Sequence, residues 1–309
     1  MADVTMLEAA KFSRDEVQRA ITKIIVESSP MLEYLPMKTI NGPAYRYHRE
    51  RTLGSIAFRG VNGSWTSDVG VINPEYEPLV IMGGEVKIDN FEIAVMQNLL
   101  PLKATKYRMK ARAAGLKFSE AFFEGDDAVD PYSFNGIRKR LTGAQKILAG
   151  SGGATLTLAM LDQLLDSVIG DNDQKVLFMN DTLRRKITAL VRATTGSSLI
   201  TFEQNQFGRQ QMAYAGTPIR IVRREDDGST ILGFDEDPGD AVSDTASIYC
   251  LRFGEDFIHG IQANSLPDVR DFGETEAGPY HLGRLEWYVG GPIVQHPRAA
   301  ARLYGITNS

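Results

Sequence analysis

The sequence predicts an α+β fold with one long helix between a β-rich first part and an inserted α/β section. Three observations predict it. About forty residues after Pro43 contain short β-favouring stretches and no helical repeat. The run from Leu102 to Glu124 has no proline and repeats its apolar residues at helical spacing. From Thr157 onward helix and strand patterns alternate, and strand patterns return toward the end of the sequence.

The composition is that of a globular protein and does not indicate a particular binding partner. The chain has 309 residues, of which 43% are hydrophobic and 24% charged, and its formal net charge is −5. These values exclude disorder, collagen and coiled coil as descriptions of the whole chain. A compact chain of this length would expose about 12,800 Å² of surface. Because the overall charge is negative, any contact with nucleic acid depends on a local basic patch.

No motif in the sequence indicates catalysis or a metal site. Cys250 is the only cysteine, which excludes an intrachain disulfide and any site built from several cysteine ligands. The four histidines lie in separate segments without zinc spacing, and no Gly-x-Ser-x-Gly nucleophile elbow occurs. No apolar run is long enough for a transmembrane helix. We therefore expect no cofactor, no metal, no membrane partner and no enzymatic activity.

The first predicted elements are a short helix and a long hairpin. Ser13–Glu16 has the form of a capping box, and the helix that it opens ends at Ser28–Pro30. Asn62-Gly63 is typical of a hairpin turn. The stretches on either side, Ser55–Arg59 and Trp65–Val69, have too few apolar side chains on one face to form a core. The hairpin must therefore be supported by something outside itself.

A long strand is predicted to follow the hairpin. Apolar residues alternate from Gly84 to Val95, which is the repeat of a half-buried strand. The alternation slips at Phe91, so we expect a β-bulge near Asp89.

The long helix, predicted over 102–124, has two apolar stripes and two charged faces. The stripes lie about 150° apart on a helical wheel, so two layers should grip the helix. One stripe contains Ala104, Ala111, Phe118 and Phe122, and the other contains Leu102, Met109, Leu116 and Phe123. An outward face carries Lys103, Lys106, Lys110 and Lys117, and the opposite face carries Arg108 and Arg112. Positive charges near the N-terminus of a helix interact unfavourably with its macrodipole. Their presence here indicates that groups outside the helix account for them.

A second unit is predicted after the hinge-like Gly150–Gly153. Its expected elements are a helix over Thr157–Ile169, a strand over Lys175–Met179, and a helix from Asn180 or Asp181 to Gly196. The strands expected after them are Met212–Tyr214, Thr217–Val222, Ser247–Phe253, Phe257–Ile261 and Leu285–Val289. Two acidic stretches, Glu225–Asp227 and Asp235–Asp237, bracket a further predicted strand and are expected to be solvated.

The order of these parts resembles that of the major capsid proteins of tailed bacteriophages. Four segments strengthen the resemblance: Ser29–Pro36, Phe58–Asn62, Glu77–Gly84 and Phe134–Leu141. The resemblance extends over almost the whole chain and implies the Hong Kong 97 fold. It divides the chain into an N-arm at 1–45, an extended E-loop at 46–85, a P-domain at 86–145 with a spine helix at about 102–124, an A-domain at 146–256, and returning P-domain strands with a C-terminal segment at 257–309.

The resemblance implies a major capsid protein that self-assembles into hexamers and pentamers. These would form an icosahedral shell around packaged double-stranded DNA, with each E-loop lying over the P-domain of a neighbour. We then expect Ile56, Phe58 and Trp65, the largest apolar groups of the E-loop, to be anchors between subunits. Local packing of Trp65 across the hairpin is the alternative.

The lysines of the long helix are the predicted interior contacts. Lys103, Lys106, Lys110 and Lys117 would face the inside of the shell and meet DNA or scaffolding protein. Contacts of this kind neutralise phosphates without reading a sequence. The alternative is an ordinary solvated face, because lysine is a common exposed residue of helices.

The resemblance also implies other partners and a location. The partners are a portal, a decoration protein in some members, and a separate scaffolding protein, which we expect because the N-arm helix begins near Ser13. Some members join subunits covalently through an E-loop lysine, but no lysine occurs from Arg51 to Glu85. Such a cross-link is therefore not expected. The expected location is the virion capsid, after synthesis and assembly in the cytoplasm of a host bacterium.

Two other functions are compatible with the sequence. An encapsulin-like nanocompartment would have the same fold, but would enclose enzymes instead of DNA and would present a groove for cargo peptides. A two-domain soluble enzyme, whose site forms only in three dimensions, is the alternative from a different class. Size-exclusion chromatography separates these classes, because a shell protein elutes as capsomers or megadalton particles and an enzyme as a small oligomer.

Overall fold

The computed structural model describes residues 4–13, 15–52, 55–65, 71–96, 99–194, 199–204, 207–223, 230–240, 242–276 and 278–308. The α-helices in these ranges are α1 (Met6–Phe12), α2 (Glu16–Ser28), α3 (Asn90–Met96), α4 (Leu99–Glu124), α5 (Ile137–Arg140), α6 (Leu158–Ser167) and α7 (Asp181–Ala193). The strands are β1 (Val4–Thr5), β2 (Pro36–Thr39), β3 (Ala44–Thr52), β4 (Val71–Pro78), β5 (Val80–Asp89), β6 (Lys146–Leu148), β7 (Lys175–Met179), β8 (Ile200–Gln204), β9 (Gln210–Tyr214), β10 (Thr217–Ile221), β11 (Thr245–Arg252), β12 (Ile258–Gln262), β13 (Asp268–Thr275), β14 (Gly278–Val289), β15 (Ile293–Val294) and β16 (Ala300–Thr307).

Within these ranges the strands form two large sheets and a separate hairpin. Sheet 1 has the order β1-β2-β12-β14-β13, with β5 paired to β14 and β15 paired to β12. Sheet 2 has the order β6-β16-β11-β7-β10-β9-β8. In the described part of the chain, β3 and β4 pair only with each other. The predicted α+β class is therefore confirmed.

The last strand was not predicted from the sequence. The sequence divides 257–309 into returning strands and a C-terminal segment, and β16 forms in that segment and lies between β6 and β11 in sheet 2. Its residues Ala301, Leu303 and Ile306 are all buried. A strand that is covered on both faces has no simple alternation of polar and apolar residues, so its pattern does not show which sheet it joins.

The long helix α4 joins the two sheets at its C-terminal half. The Phe118 ring packs against Trp287 of β14 in sheet 1, with ring centroids 5.0 Å apart. The Phe123 ring packs against Phe178 and Tyr249 of sheet 2, with centroids 5.6 and 5.1 Å away. Two layers therefore grip this half of the helix, as its two apolar stripes predict.

The N-terminal half of α4 contradicts the wheel. Met109 of the second stripe is exposed. Tyr107 instead lies over Gly283 of β14, where an added Cβ would overlap the tyrosine oxygen. Its hydroxyl donates to the Arg270 carbonyl at 3.2 Å. The prediction fails here because amphipathic side chains cover the sheet with their stems and rings while their polar ends reach its edge.

Helix α2 crosses α4 at Gly115, the one glycine of the long helix. An added Cβ there would lie 2.7 Å from the Ile25 carbonyl oxygen and 2.8 Å from the Ser28 Cβ. The absence of a side chain therefore permits the close approach of the two helices.

Two local predictions before α4 are wrong. The N-cap of α2 is Asp15, whose carboxylate accepts from the Val17 N–H at 2.9 Å, so Ser13 does not open a capping box with Glu16. A short helix, α1, precedes it and was not predicted. The predicted strand beyond Gly84 ends at Asp89, and α3 begins where a bulge was expected. The Asp89 carboxylate accepts from the Phe91 N–H at 2.7 Å and turns the chain into that helix.

The acidic stretch Asp235–Asp237 is not simply solvated. Glu236 is buried, and its carboxylate is bound by Arg302 and by the Ser247 hydroxyl. Residues 230–235 contain no strand, contrary to the prediction. The predictions for Thr66–Val69, Gly196 and Glu225–Asp227 fall outside the described residues.

The surface of the chain is larger than that of a compact body. The accessible area is 16536 Å², against about 12,800 Å² for a compact chain of this length. The excess agrees with a projecting arm. Among the helices of the described ranges, none combines the length and apolar character that a bilayer span requires.

Candidate interaction surface

The hairpin of β3 and β4 is fixed to the rest of the protein at its foot. The buried Glu77 carboxylate is bound by Arg140 Nη2 at 2.7 Å and by the Gly291 backbone N–H at 3.1 Å. Between the two strands, the Tyr47 hydroxyl donates to Glu75 Oε2 at 2.7 Å. The charge-assisted bonds to Glu77 hold the end of β4 where the chain passes from the hairpin into β5 of sheet 1. The hairpin therefore leaves the protein in a defined direction.

A neutral histidine lies under this foot. His259 of β12 is buried and meets Tyr45 of β3 edge to face, with ring centroids 6.2 Å apart. Burial, together with the nearby Lys38 ammonium, lowers the pKa of His259 to about 4. The ring is therefore uncharged at neutral pH and packs beside Tyr45 as an apolar group.

The segment 55–65, between the two strands, has little support from the rest of the chain. Ile56 and Phe58 are fully exposed. The Gly63 N–H donates to the Gly60 carbonyl at 3.1 Å, and Asn62 has a φ of 66°. The turn therefore lies where Asn62-Gly63 predicts it. The expected strand at Ser55–Arg59 is wrong, because the ladder of the hairpin ends at Thr52 and Val71.

Among the described residues, the contacts of Trp65 are local. Its indole N–H donates to the Ala57 carbonyl at 2.9 Å, and the Arg59 guanidinium lies 4.4 Å from the ring centroid. Arg59 also donates to the Gly63 carbonyl at 3.0 Å. These contacts are the local packing that the sequence left as an alternative, yet the side chain is still 63% exposed. The anchoring role of the three residues stays a prediction.

The lysines of α4 do not form one outward face. Lys103, which is 17% exposed, places Nζ 2.8 Å from Asp271 of β13. Lys106 reaches Glu92 of α3 at 2.5 Å. These carboxylates lie in the same chain, so they supply an internal reason for cations near the start of the helix. The helix wheel missed them because they are distant in sequence.

The other two lysines differ from each other. Lys110 lies over Gly84 of β5, where an added Cβ would be 2.7 Å from the lysine Cε. Lys117 is exposed and pairs with Glu120 one turn along the helix at 3.5 Å. The predicted outward orientation is therefore wrong for Lys103, Lys106 and Lys110, which lie over sheet 1. Contact of the four α4 lysines with DNA or scaffolding protein stays a prediction.

The ion pair between Glu77 and Arg140, which fixes the hairpin, is not visible in the sequence patterns. The two residues are far apart in the sequence, and no periodicity connects them. A signal was nevertheless present, because Glu77 begins one of the four segments that carry the capsid resemblance and Arg140 lies in another.

Comparison with known proteins gives matches among solved structures alone. No protein-family model matches the chain, and no curated protein matches it. The holo-SrpI encapsulin complex from Synechococcus elongatus superposes with a TM-score of 0.64 at 14% identity, over 90% of this chain and 88% of that chain. The capsid of an empty GTA particle gives 0.62 at 15% identity, over 91% and 90%. Microbacterium phage Oxtober96 gives 0.61 at 12% identity, over 90% of each chain.

The chain has the Hong Kong 97 fold. At these identities the likeness concerns the fold. It extends over nine tenths of each chain. Within the Hong Kong 97 fold, the β3–β4 hairpin and α4 fall in the stretches that the sequence resemblance assigns to the E-loop and the spine helix.

Proposed function

We propose that this protein is the major capsid protein of a tailed phage. Copies of it assemble into hexamers and pentamers that close an icosahedral head around double-stranded DNA. The observation that carries the proposal is the hairpin, whose foot is fixed by Glu77 and Arg140 while Ile56, Phe58 and Trp65 remain in water. Exposed apolar groups of this size mark a contact with another protein.

The Hong Kong 97 fold supports an assembly of identical copies. The matched structures are described as an encapsulin complex and as capsids. An E-loop that lies over the P-domain of a neighbour receives there the support that its own chain does not give it. An interface of this obligate kind buries about 2,000 Å² or more.

The finer parts of the proposal concern domains, partners and location. We assign the N-arm, E-loop, P-domain and A-domain as the sequence resemblance divides them, except that β16 is placed with sheet 2. The partners are a scaffolding protein, a portal and packaged DNA, which the lysine side of α4 contacts without sequence specificity. The protein assembles in the bacterial cytoplasm and resides in the virion.

An encapsulin-like shell is the second candidate function. It is favoured by the match to a holo-encapsulin over nine tenths of each chain. The two kinds of shell differ in what they enclose: a phage head retains nuclease-protected DNA, and an encapsulin retains a cargo protein.

The test begins with expression, size-exclusion chromatography and negative-stain microscopy of the purified protein. A shell protein elutes as capsomers or particles, whereas a small globular oligomer without particles contradicts the proposal. Particles assembled in infected cells are then treated with nuclease and assayed for protected DNA and for enclosed protein. Protected genome-length DNA supports the phage head, and cargo protein without DNA supports the encapsulin-like shell.

The hairpin is tested with Trp65→Ala, compared with Phe202→Ala, which removes an exposed aromatic ring from β8. We expect Trp65→Ala to stop assembly, because an anchoring tryptophan contributes about 2 kcal/mol or more at an interface. The circular dichroism of the variant should match that of the parent. Particles of normal yield from Trp65→Ala would remove the anchoring role of the hairpin.

A further inference from the structure

The chain contains three Asn-Gly dipeptides, at 41–42, 62–63 and 135–136. In such a dipeptide the glycine backbone nitrogen can attack the asparagine side-chain amide, because glycine has no side chain that hinders the approach. The five-membered ring that results opens to aspartate or isoaspartate, so the reaction replaces a neutral residue with an acidic one. The fold holds the three dipeptides in very different ways.

Asn62-Gly63 lies at the tip of the hairpin segment 55–65, and both residues are exposed. Among the described residues, the Asn62 side-chain amide has no hydrogen-bond partner. The Gly63 N–H donates to the Gly60 carbonyl at 3.1 Å, and this bond must open before the nitrogen can attack. A single hydrogen bond in water slows the reaction by about tenfold at most.

The Arg59 guanidinium favours the reaction at this turn. It donates to the Gly63 carbonyl at 3.0 Å, so its positive charge lies close to the backbone nitrogen that has to lose a proton. A nearby cation stabilises the deprotonated form of an acid. The same charge stabilises the carboxylate of the product.

The fold holds Asn135-Gly136 in a way that opposes the reaction. The Asn135 side-chain amide donates to the Asp127 carboxylate at 3.0 Å and accepts from the Asp127 N–H at 3.2 Å. The Gly136 N–H donates to the Gly125 carbonyl at 2.8 Å, and an added Cβ on Gly136 would lie 2.7 Å from the Ala121 carbonyl oxygen. Both reacting groups are therefore bound elsewhere, and the backbone around them leaves no room for ring closure.

Asn41-Gly42 is exposed, but the chain is fixed on both sides of it. The Ile40 N–H donates to the Gln262 carbonyl of sheet 1 at 2.9 Å. The Pro43 carbonyl accepts from the Leu79 N–H at 2.9 Å. Rotation of this dipeptide toward the ring geometry therefore disturbs sheet 1 and the foot of the hairpin, which the turn at the hairpin tip does not.

We propose that Asn62 is a site of spontaneous deamidation in the unassembled protein. The Gly63 nitrogen gives its proton to hydroxide and forms a bond to the side-chain carbonyl carbon of Asn62. The bond from that carbon to the amide nitrogen breaks, and the nitrogen takes up a proton and leaves as ammonia. One water molecule then opens the ring and leaves the acid. The oxidation state of every atom is unchanged, and water is the co-reactant.

The modification falls in the segment that the proposed function assigns to contacts between copies, and its consequence for assembly rests on that function. Opening of the ring to isoaspartate adds the side-chain methylene to the backbone. The turn between Phe58 and Trp65 becomes longer, so these two side chains are presented differently. A neighbouring copy that covers the turn excludes water and restricts ring closure. We therefore expect assembly to protect Asn62.

The first experiment compares the three dipeptides within one protein. The folded protein is incubated in slightly alkaline buffer, and peptide mass spectrometry follows the conversion of each asparagine. We expect Asn62 to convert at least about tenfold faster than Asn135, and also faster than Asn41. The control is incubation in urea, where the three dipeptides should convert at similar rates. An unreactive Asn62 in the folded protein, or conversion of Asn135 or Asn41 at the same rate, would overturn the inference.

The matched variant is Gly63→Ala, which keeps Asn62 and hinders the attacking nitrogen. Its added Cβ lies 3.3 Å from the Gly60 carbonyl oxygen, a contact that a small shift of the turn relieves. We expect conversion of Asn62 to fall about tenfold, with an unchanged circular dichroism spectrum and unchanged rates at the other two sites. Conversion at the rate of the parent would show that the Gly63 nitrogen is not the attacking group and would overturn the mechanism.

The second experiment compares unassembled protein with particles. We expect Asn62 to convert at least about tenfold more slowly in particles, because ring closure requires a turn that can rotate in water. Equal rates in the two states would overturn the protection by assembly and leave the site established. Absence of particles would contradict the proposed function, whereas the conversion measured in the unassembled protein decides on Asn62 by itself.

Discussion

Arg302 and Glu236 form a buried ion pair, with Arg302 Nη2 2.6 Å from the Glu236 carboxylate. The Ser247 hydroxyl donates to the same carboxylate and accepts from Arg302 Nε at 2.8 Å. This triad joins an acidic loop to β11 and β16 in sheet 2. The last strand of the chain is thereby tied to a loop that lies far before it in the sequence.

Replacing Arg302 with methionine should destabilise the fold strongly. In the variant the buried Glu236 carboxylate keeps the Ser247 hydroxyl, and its remaining cation is Arg138, whose Nη1 lies 3.8 Å away. Removing one partner of a buried pair costs about 3–5 kcal/mol, which urea denaturation would measure. The control is Arg209→Met, which breaks an exposed pair with Glu27 and should cost less than about 1 kcal/mol. Equal effects of the two variants would contradict a special role for the buried pair.

Glu124, at the end of α4, should make stability depend on pH. Burial, followed by the negative charge of Asp235, raises its pKa from 4.5 to about 7, although Arg138 opposes the shift. Folding therefore takes up a proton between these pH values, and the favourable contribution of this group declines as the pH rises from 4.5 to 7.

The variant Glu124→Gln removes this dependence. We expect it to be more stable than the parent at pH 8 by about 1 kcal/mol, a value reduced for solvent screening because the group is partly exposed. At pH 4 the advantage should vanish. Urea denaturation of both proteins at several pH values provides the measurement, and parallel curves from pH 4 to 8 would show that Glu124 does not titrate in this way.

Two buried tyrosines should respond oppositely to loss of the hydroxyl. The Tyr249 hydroxyl has no hydrogen-bond partner among the described residues, whereas the Tyr214 hydroxyl donates to Asp162 at 2.9 Å. Tyr249→Phe should leave stability unchanged or raise it, because an unsatisfied buried group is removed. Tyr214→Phe should cost about 1 kcal/mol. Thermal unfolding of the pair would test this, and a larger loss for Tyr249→Phe would point to a partner for its hydroxyl.

The lysine prediction is testable in assembled particles. Replacing Lys103, Lys106, Lys110 and Lys117 with glutamine should weaken retention of DNA as salt rises, while capsomers still form. The double variant Asp271→Asn/Glu92→Gln is the control, because it breaks the internal ion pairs without removing positive charge. Equal DNA retention by the lysine variant and the parent would favour a solvated or purely structural lysine face.

Local patterns in the sequence were sufficient where the neighbours along the chain determine structure. The strand at Lys175–Met179 was predicted with its observed bounds, and Thr157 and Asn180 cap the helices that follow them. The turn at Asn62-Gly63 needs no tertiary contact, because asparagine adopts a positive φ readily. The sparse apolar content of 55–65 likewise showed that this segment cannot bury itself.

Tertiary structure alone decided which distant residues meet. These contacts join residues that belong to no common sequence repeat. They are the pair of Glu77 with Arg140, the pair of Glu236 with Arg302, and the contacts of the α4 lysines that lie over sheet 1. Periodicity shows how a segment divides into faces, but it does not show what covers each face. The position of β16 in sheet 2 could not be predicted for the same reason. Its apolar residues are compatible with either sheet, and only its pairing with β6 and β11 determines which sheet it joins.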